Sequence, residues 1–190
     1  MSKQLFPAEF VFPGHPDKLC DAIADALVLE AWRKEPRALV GVEVAVHRDH
    51  VYVTGRVACS GAEEIDVTAL VREVYRSAGY RDDWYPAPEA VKVVSNLCVG
   101  PLEDGEAEFR ELSDDQAICI GYANDIEATN HLPVEQWLVV RLAKRLHAIR
   151  HERPELGLGP DGKVLILVEL DDATGQAPWR LAGFSCSLQQ

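Results

Sequence analysis

The sequence predicts an α+β fold with mixed or antiparallel sheets and helices on one face. Apolar residues recur at helical spacing in three long stretches and alternate in several shorter ones. The first two of the shorter stretches are joined by a turn too brief to hold the crossover helix of a parallel pair. The 190 residues suffice for one medium domain or two small ones. The reading here is two interleaved α+β subdomains, about 1–115 and 116–190.

Leu19, Ile23, Ala26 and Leu27 mark a first helix from Leu19 to about Lys34, ending near Pro36. Leu39 to Val46 alternates, His47 to His50 reads as a turn, and Val51 to Val57 returns, so 39–59 is a β-hairpin. Glu63 to Ala78 is a second helix, striped by Ile65, Leu70, Val71, Val74 and Tyr75, with Gly79 as its stop. Val91 to Val99 is a strand. Residues 100–115, rich in Gly, Asp and Glu, read as a mobile surface loop. The short apolar segment Ala117 to Tyr122 reads as a further strand. Pro133 opens a third helix, to about Glu152, with Trp137, Leu138, Leu142, Leu146 and Ile149. Lys163 to Leu170 and Trp179 to Cys186 complete the strands.

The formal charge is −12, from 19 basic and 31 acidic side chains. That balance argues against a nucleic-acid or anionic-membrane surface, but not against a local phosphate site. Cys20, Cys59, Cys98, Cys119 and Cys186 are odd in number and scattered, with no C-x-x-C pair. They read as reduced thiols of an intracellular, cytoplasmic protein. No signal peptide or membrane-length apolar run is expected. Neither G-x-G-x-x-G nor a Walker loop occurs.

Gly14-His15-Pro16-Asp17-Lys18 is the segment richest in chemistry. It lies at the mouth of the first helix, where free N–H groups and the dipole favour phosphate. His15 and Lys18 add donors, and Asp17 adds a hard oxygen suited to Mg²⁺. The same residues also make an ordinary helix start, with Asp17 as cap, Pro16 presetting the first turn and Gly14 allowing a bend. Lys163 follows a Pro-Asp-Gly turn, where a solvated lysine is the default. Glu43 is a lone acid in an apolar strand and faces either water or a partner. Asp115 stands beside Asp114 in an acidic stretch. His147 and His151 share a helix face at i, i+4 and read as solvated.

Phe10 to Asp25, FVFPGHPDKLCDAIAD, resembles the opening of the S-adenosylmethionine synthetases, or methionine adenosyltransferases. Their hallmark GHPDK-x-x-D-x-I-x-D-A is matched through Asp21, Ile23, Asp25 and Ala26. The resemblance continues through Asp115-Gln116 (the family's GDQG), Ile120-Gly121-Tyr122-Ala123 (F-G-Y-A), Pro160-Asp161-Gly162-Lys163 (R-P-D-x-K) and Ser185 to Gln190 (V-L-S-T-Q-H). It runs over nearly the whole chain but over only the first half of a typical family member. It implies a synthetase-like fold and transfer of adenosyl from ATP to the sulfur of methionine or an analogue, with release of phosphate and diphosphate. By resemblance His15 and Lys163 are catalytic and neutralise the triphosphate, and Lys18 and Asp115 join them in binding ATP. Asp17 would hold Mg²⁺ and Glu43 K⁺, while Arg56 and Gln116 would bear on substrate selection. Family active sites lie between two subunits, which implies an oligomer.

This chain departs from the family in four ways. GDQG loses both glycines, reading Asp114-Asp115-Gln116-Ala117. The strand G-G-E reads Thr54-Gly55-Arg56, which replaces a carboxylate that meets the methionine ammonium by a guanidinium favouring a carboxylate. The gating loop K-Q-S-P-D-I is replaced by Val99-Gly100-Pro101-Leu102-Glu103. The second half, with its glycine-rich phosphate loop, has no counterpart. Three readings stay open: a subunit of a split synthetase whose partner chain carries the other half, an inactive interaction or regulatory subunit, and a nucleotide binder with a simpler reaction.

Overall fold

The computed structural model describes residues 4–112, 118–170 and 179–190. They form an α+β fold, as the periodicities predict, in two units: the described residues of Met1–His15 with Ile118–Gln190, and those of Pro16–Ala117.

The second of these units carries the sheet β2–β3–β4. Helix α1 (Pro16–Lys34) begins with Asp17 in its first turn and ends on Arg33 and Lys34, both favourable to the helix dipole. Its buried stripe is Leu19, Ile23, Leu27 and Ala31, one residue per turn. Strands β2 (Leu39–His47) and β3 (His50–Ala58) are an antiparallel hairpin turned at Arg48, whose φ is 56°. Helix α2 (Val67–Ala78) starts later than its apolar stripe suggests, because the Asp66 side chain caps it by accepting from the Ala69 N–H at 2.9 Å. It stops at Gly79, φ 100°, in the left-handed conformation expected of that glycine. The chain then returns as β4 (Lys92–Gly100), parallel to β3. Leu19, Ile23 and Leu27 of α1 pack with Val71 and Tyr75 of α2 onto Val51 and Val53 of β3. The opposite face of the sheet, with Glu43, Tyr52, Thr54 and Val94, is exposed.

At the hairpin turn Asp49 clasps Lys92 and His50. Its carboxylate meets Lys92 Nζ at 2.8 Å and His50 Nδ1 at 2.8 Å. Lys92, then His50, holds the Asp49 carboxyl down to about 2 from an ordinary 3.8.

The other unit contains the strand that the sequence reading did not find. Strand β1 (Gln4–Val11) pairs antiparallel with β5 (Gly162–Leu170), which pairs antiparallel with β6 (Trp179–Leu188). Pro7 and Glu9 break the apolar run of β1, and Pro7 is tolerated because β1 is an edge strand. Phe6, Ala8 and Phe10 point inward with Val164, Ile166 and Val168. Helix α4 (Val134–Glu152), numbered after the one-turn α3 (Glu106–Phe109), covers them with Val139 and Ala143.

The expected strand at Ala117–Tyr122 does not form over its described part: residues 118–122 are irregular, with Ile118 91% and Ile120 89% exposed. An extended segment needs a neighbouring strand for its backbone groups, and none pairs with it among the described residues. Within the stretch 100–115 expected as a mobile surface loop, Glu106, Arg110 and Glu111 make ion pairs to their own unit, and 113–115 lie outside the described residues.

Where β1 ends, the chain is docked on the turn before β5. The Phe12 N–H donates to the Gly162 carbonyl at 2.8 Å, and the Gly14 N–H to the Pro160 carbonyl at 3.2 Å. A Cβ on Gly14 would stand 2.6 Å from the Pro160 carbonyl carbon and oxygen, so a glycine is required there by contact.

Gly14→Ala is therefore expected to destabilise the protein by about 1–3 kcal/mol through overpacking. Thermal unfolding followed by circular dichroism reads this as a fall of about 2–4 °C per kcal/mol in a chain of this size. An unchanged melting temperature would mean that Pro160 yields freely. For Asp49, a folded-state value below the unfolded one adds stability that is full above about pH 4 and lost as pH falls through about 2. Asp49→Asn should flatten the acid limb of stability in denaturant titrations, and parallel limbs for the two proteins would show that the clasp contributes nothing.

Candidate functional site

His15 and Lys163, read as the triphosphate-facing pair, line one open depression of about 370 Å³ with Asp161, Gly162, Ser187, Leu188 and Gln189. The backbone brings them together. The His15 N–H donates to the Phe12 carbonyl at 3.0 Å, and Phe12 and Gly14 bond to Gly162 and Pro160. Phe12 is 2% exposed and rests against Gly162, where a Cβ would meet its ring at 2.7 Å. On the other side Gln189 closes the turn: its carbonyl accepts from Gly159 at 2.8 Å and its N–H donates to the Asp161 carbonyl at 3.1 Å.

The Lys163 ammonium pairs with Glu9 Oε2 at 2.6 Å, both side chains being about two-fifths exposed. Glu9 is the diagonal neighbour, since Lys163 stands opposite Val11 and Glu9 shares its face of the ladder. The depression thus offers an imidazole, an ammonium with an internal counter-ion, and the Ser187 side chain. That chemistry suits a multiply charged anion able to outcompete one carboxylate. Glu9 was missed from sequence because its strand was missed.

Asp17 and Lys18 belong to the other unit, exposed in the first turn of α1. Lys18 Nζ lies 3.6 Å from Asp21 Oδ2. Glu43 is exposed on β2 opposite Thr54. Among the described residues no three His, Cys, Asp or Glu side chains converge as a metal cluster. Mg²⁺ commonly takes one or two protein carboxylates and completes its octahedron with water and substrate phosphates, so an exposed Asp17 fits such an ion bound together with a polyphosphate. Asp115 and Gln116 lie outside the described residues.

Arg56 is enclosed by its own unit. Its Nε and one Nη bond Glu106 at 2.8 Å each, and its two Nη also donate to the carbonyls of Cys98 (3.3 Å) and Pro101 (2.7 Å). Glu106 accepts further from the Glu103 N–H at 2.7 Å. Arg56 chiefly, then that N–H, holds the Glu106 carboxyl down to about 2. Gly55 before it has φ 123°, and a Cβ there would lie 2.1 Å from the Gly41 carbonyl oxygen. Glu106 carried no signal among Glu103, Asp104 and Glu108, and only the fold singles it out.

Of the pair His147 and His151, His151 is exposed as expected of a solvated face, whereas His147 is half-buried. The His147 ring meets Phe12 edge-on at 5.9 Å and His151 at 5.1 Å. Its Nδ1 is buried without a hydrogen-bond partner among the described residues, and burial first, then His151 and Arg150, lowers its pKa. No helix of the described residues is long and apolar enough to cross a membrane.

Comparison with known proteins places the chain in a family. Residues 3–98 match the family described as S-adenosylmethionine synthetase, N-terminal domain. The chain is 35% identical to S-adenosylmethionine synthase 1 of Frankia casuarinae over 95% of its own length and 47% of that protein's. It is 33% identical to the S-adenosylmethionine synthase of Corynebacterium urealyticum over 91% of itself and 46% of the relative, and 35% identical to that of Petrotoga mobilis over 90% and 47%. The chain spans about half the length of the curated relatives it matches. With half of its residues inside the match, and with the GHPDK segment leading into α1, the chain belongs to the S-adenosylmethionine synthetase N-terminal domain family.

Proposed function

We propose that this chain is one subunit of a split methionine adenosyltransferase-like enzyme, completed by a second chain that carries the other half. The observation that carries the reading is the meeting of His15 and Lys163, from opposite ends of the chain, in one depression. The sulfur of methionine or an analogue attacks C5′ of ATP. The S–C bond forms as the C5′–O bond breaks, and its electron pair leaves with the triphosphate, which water then cleaves to phosphate and diphosphate. A thioether needs no base, so the demand falls on the leaving group. The His15 imidazole and Lys163 ammonium meet the triphosphate oxygens, Lys163 exchanging Glu9 for phosphate. Lys18 and Asp115 assist in holding ATP. Asp17 would hold Mg²⁺, which supplies charge neutralisation to the polyphosphate, and Glu43 would hold K⁺. Arg56 and Gln116 act in substrate selection, Arg56 by preferring a carboxylate, a role in which Glu106 now stands. The working form is an oligomer in the cytoplasm.

One observation favours the second reading, an inactive regulatory subunit that keeps the fold: Glu106 occupies the Arg56 fork with two bonds of 2.8 Å, and the carbonyls of Cys98 and Pro101 take further donors.

The test is to co-express the chain with its complementary half, supply ATP, Mg²⁺ and methionine, and look for a sulfonium product by mass spectrometry. His15→Ala and Asp17→Asn should each lower turnover by about 10²–10³-fold, the scale of losing a transition-state charge contact. Assembly, read by size-exclusion chromatography, should be unchanged. Turnover that survives either substitution rejects the assigned role. A pair that neither forms product nor binds ATP in calorimetry rejects the enzyme and leaves the regulatory subunit.

A further inference from the structure

Helix α4 sets an imidazole against the side chain that seats His15. His147 is half-buried, and its ring meets the Phe12 ring edge to face at 5.9 Å, with the planes 78° apart. Phe12 belongs to the buried core of the same unit and rests against Gly162. Three backbone bonds radiate from it: the Phe12 N–H donates to the Gly162 carbonyl, the Gly14 N–H beyond it to the Pro160 carbonyl, and the His15 N–H to the Phe12 carbonyl. One phenyl ring therefore stands between the α4 imidazole and the linkage that brings His15 beside Lys163.

The surroundings of His147 suit a neutral ring. Its Nδ1 is buried without a hydrogen-bond partner among the described residues. Protonation would turn that atom into a charged donor with nothing to receive it, which costs more than an idle lone pair. On its own helix the neighbours at i−3, i+3 and i+4 are Lys144, Arg150 and His151, the last with its ring 5.1 Å away. Arg150 is held in place by donating from Nε to the Leu158 carbonyl at 3.1 Å. Glu152 of the helix pairs with Arg145. Glu9 of β1 pairs with Lys163, and Glu155, just past the helix, with Arg153. Asp161 and Lys163 line the depression, as does His15. Strand β6 brings Cys186, whose thiol burial pushes up, so it stays uncharged in acid. Burial first, then His151 and Arg150, lowers the His147 pKa from its ordinary 6.5.

We propose that the contact of His147 with Phe12 is an acid-sensitive latch: the neutral imidazole packs on the phenyl ring and keeps residues 12–15 on the turn before β5, whereas the protonated one leaves that contact and loosens the His15 side of the depression. The latch does not depend on which anion the depression takes. Because the unfolded chain protonates His147 more readily than the folded one, its contribution to stability is full above about pH 6.5 and is lost as pH falls below that value. This range lies well above the Asp49 limb near 2.

Amide exchange and imidazole titration, both followed by NMR on the intact chain, test this. Between about pH 7.5 and about pH 5.5, the range in which a histidine changes charge, exchange corrected for its intrinsic rate should quicken about tenfold at Phe12, Gly14 and His15 while β2, β3 and β4 keep their protection. His147→Phe keeps an aromatic ring and removes the titration, so the acid loss should vanish. His15→Gln removes the other imidazole of the segment and should leave the acid loss in place. The His147 ring itself should titrate below 6.5. Protection at residues 12–15 that ignores pH overturns the proposal. So does an acid loss that persists in His147→Phe, one that vanishes in His15→Gln, or a His147 ring that titrates at or above its ordinary value. If His147→Phe does not fold, the ring titration and the amide profile of the unsubstituted protein decide the matter.

Discussion

The pairing of β1 with β5 is the constraint on which the His15–Lys163 depression depends. It joins Gln4–Val11 to residues 163–170, nearly the full length of the chain apart. Closing so long a loop is entropically costly, though the cost grows slowly with length. The inward rows Phe6, Ala8, Phe10 and Val164, Ile166, Val168 offset it by burial under α4. Once this ladder is in register, Phe12 reaches Gly162, Gly14 reaches Pro160, and His15 arrives beside Lys163. Because strand side chains alternate, a slip of one residue would turn Glu9 away from Lys163 and Phe10 out of the core.

Much of this was legible in the sequence, for physical reasons that differ by element. Stripes such as Leu19, Ile23 and Leu27 declare a helix because burial selects one residue per turn. The hairpin declares itself by alternation on both sides of Arg48-Asp49. Strand β1 does not, because Pro7 and Glu9 face outward on an edge and hide the alternation of Phe6, Ala8 and Phe10. Of the candidate depression, His15 and Lys163 are named by local motifs, since a local motif fixes residue types. Counter-charges are not. Glu9 for Lys163 and Glu106 for Arg56 are chosen by register and loop path, which no local pattern contains. The apolar segment near Ile120 was misread as a strand because hydrophobicity alone does not say what a segment pairs with.

The chain is strongly acidic, yet its acids are placed as clasps. Asp49 binds Lys92, Glu35 binds Arg110, and Glu169, only 8% exposed, holds Arg180 directly across β5 and β6 at 2.7 and 2.9 Å. Only the acid of this pair is buried, Arg180 being largely exposed, so it is the loss of Arg180 that would leave a lone buried charge. In β5–β6 the pair also marks the register beyond the bulge between Leu167 and Val168.

The docking of Gly14 on Pro160 has a consequence for ligand linkage. The two sides of the depression come from segments that meet only when the first strand is in place, so the unfolded chain has no equivalent of it. Any anion that spans His15 and Lys163 binds the folded state alone and raises its stability by RT ln(1 + [L]/Kd), about 2.7 kcal/mol at a hundredfold excess over Kd. For such an anion, occupancy would be written into the melting temperature, whether or not any bond is made or broken.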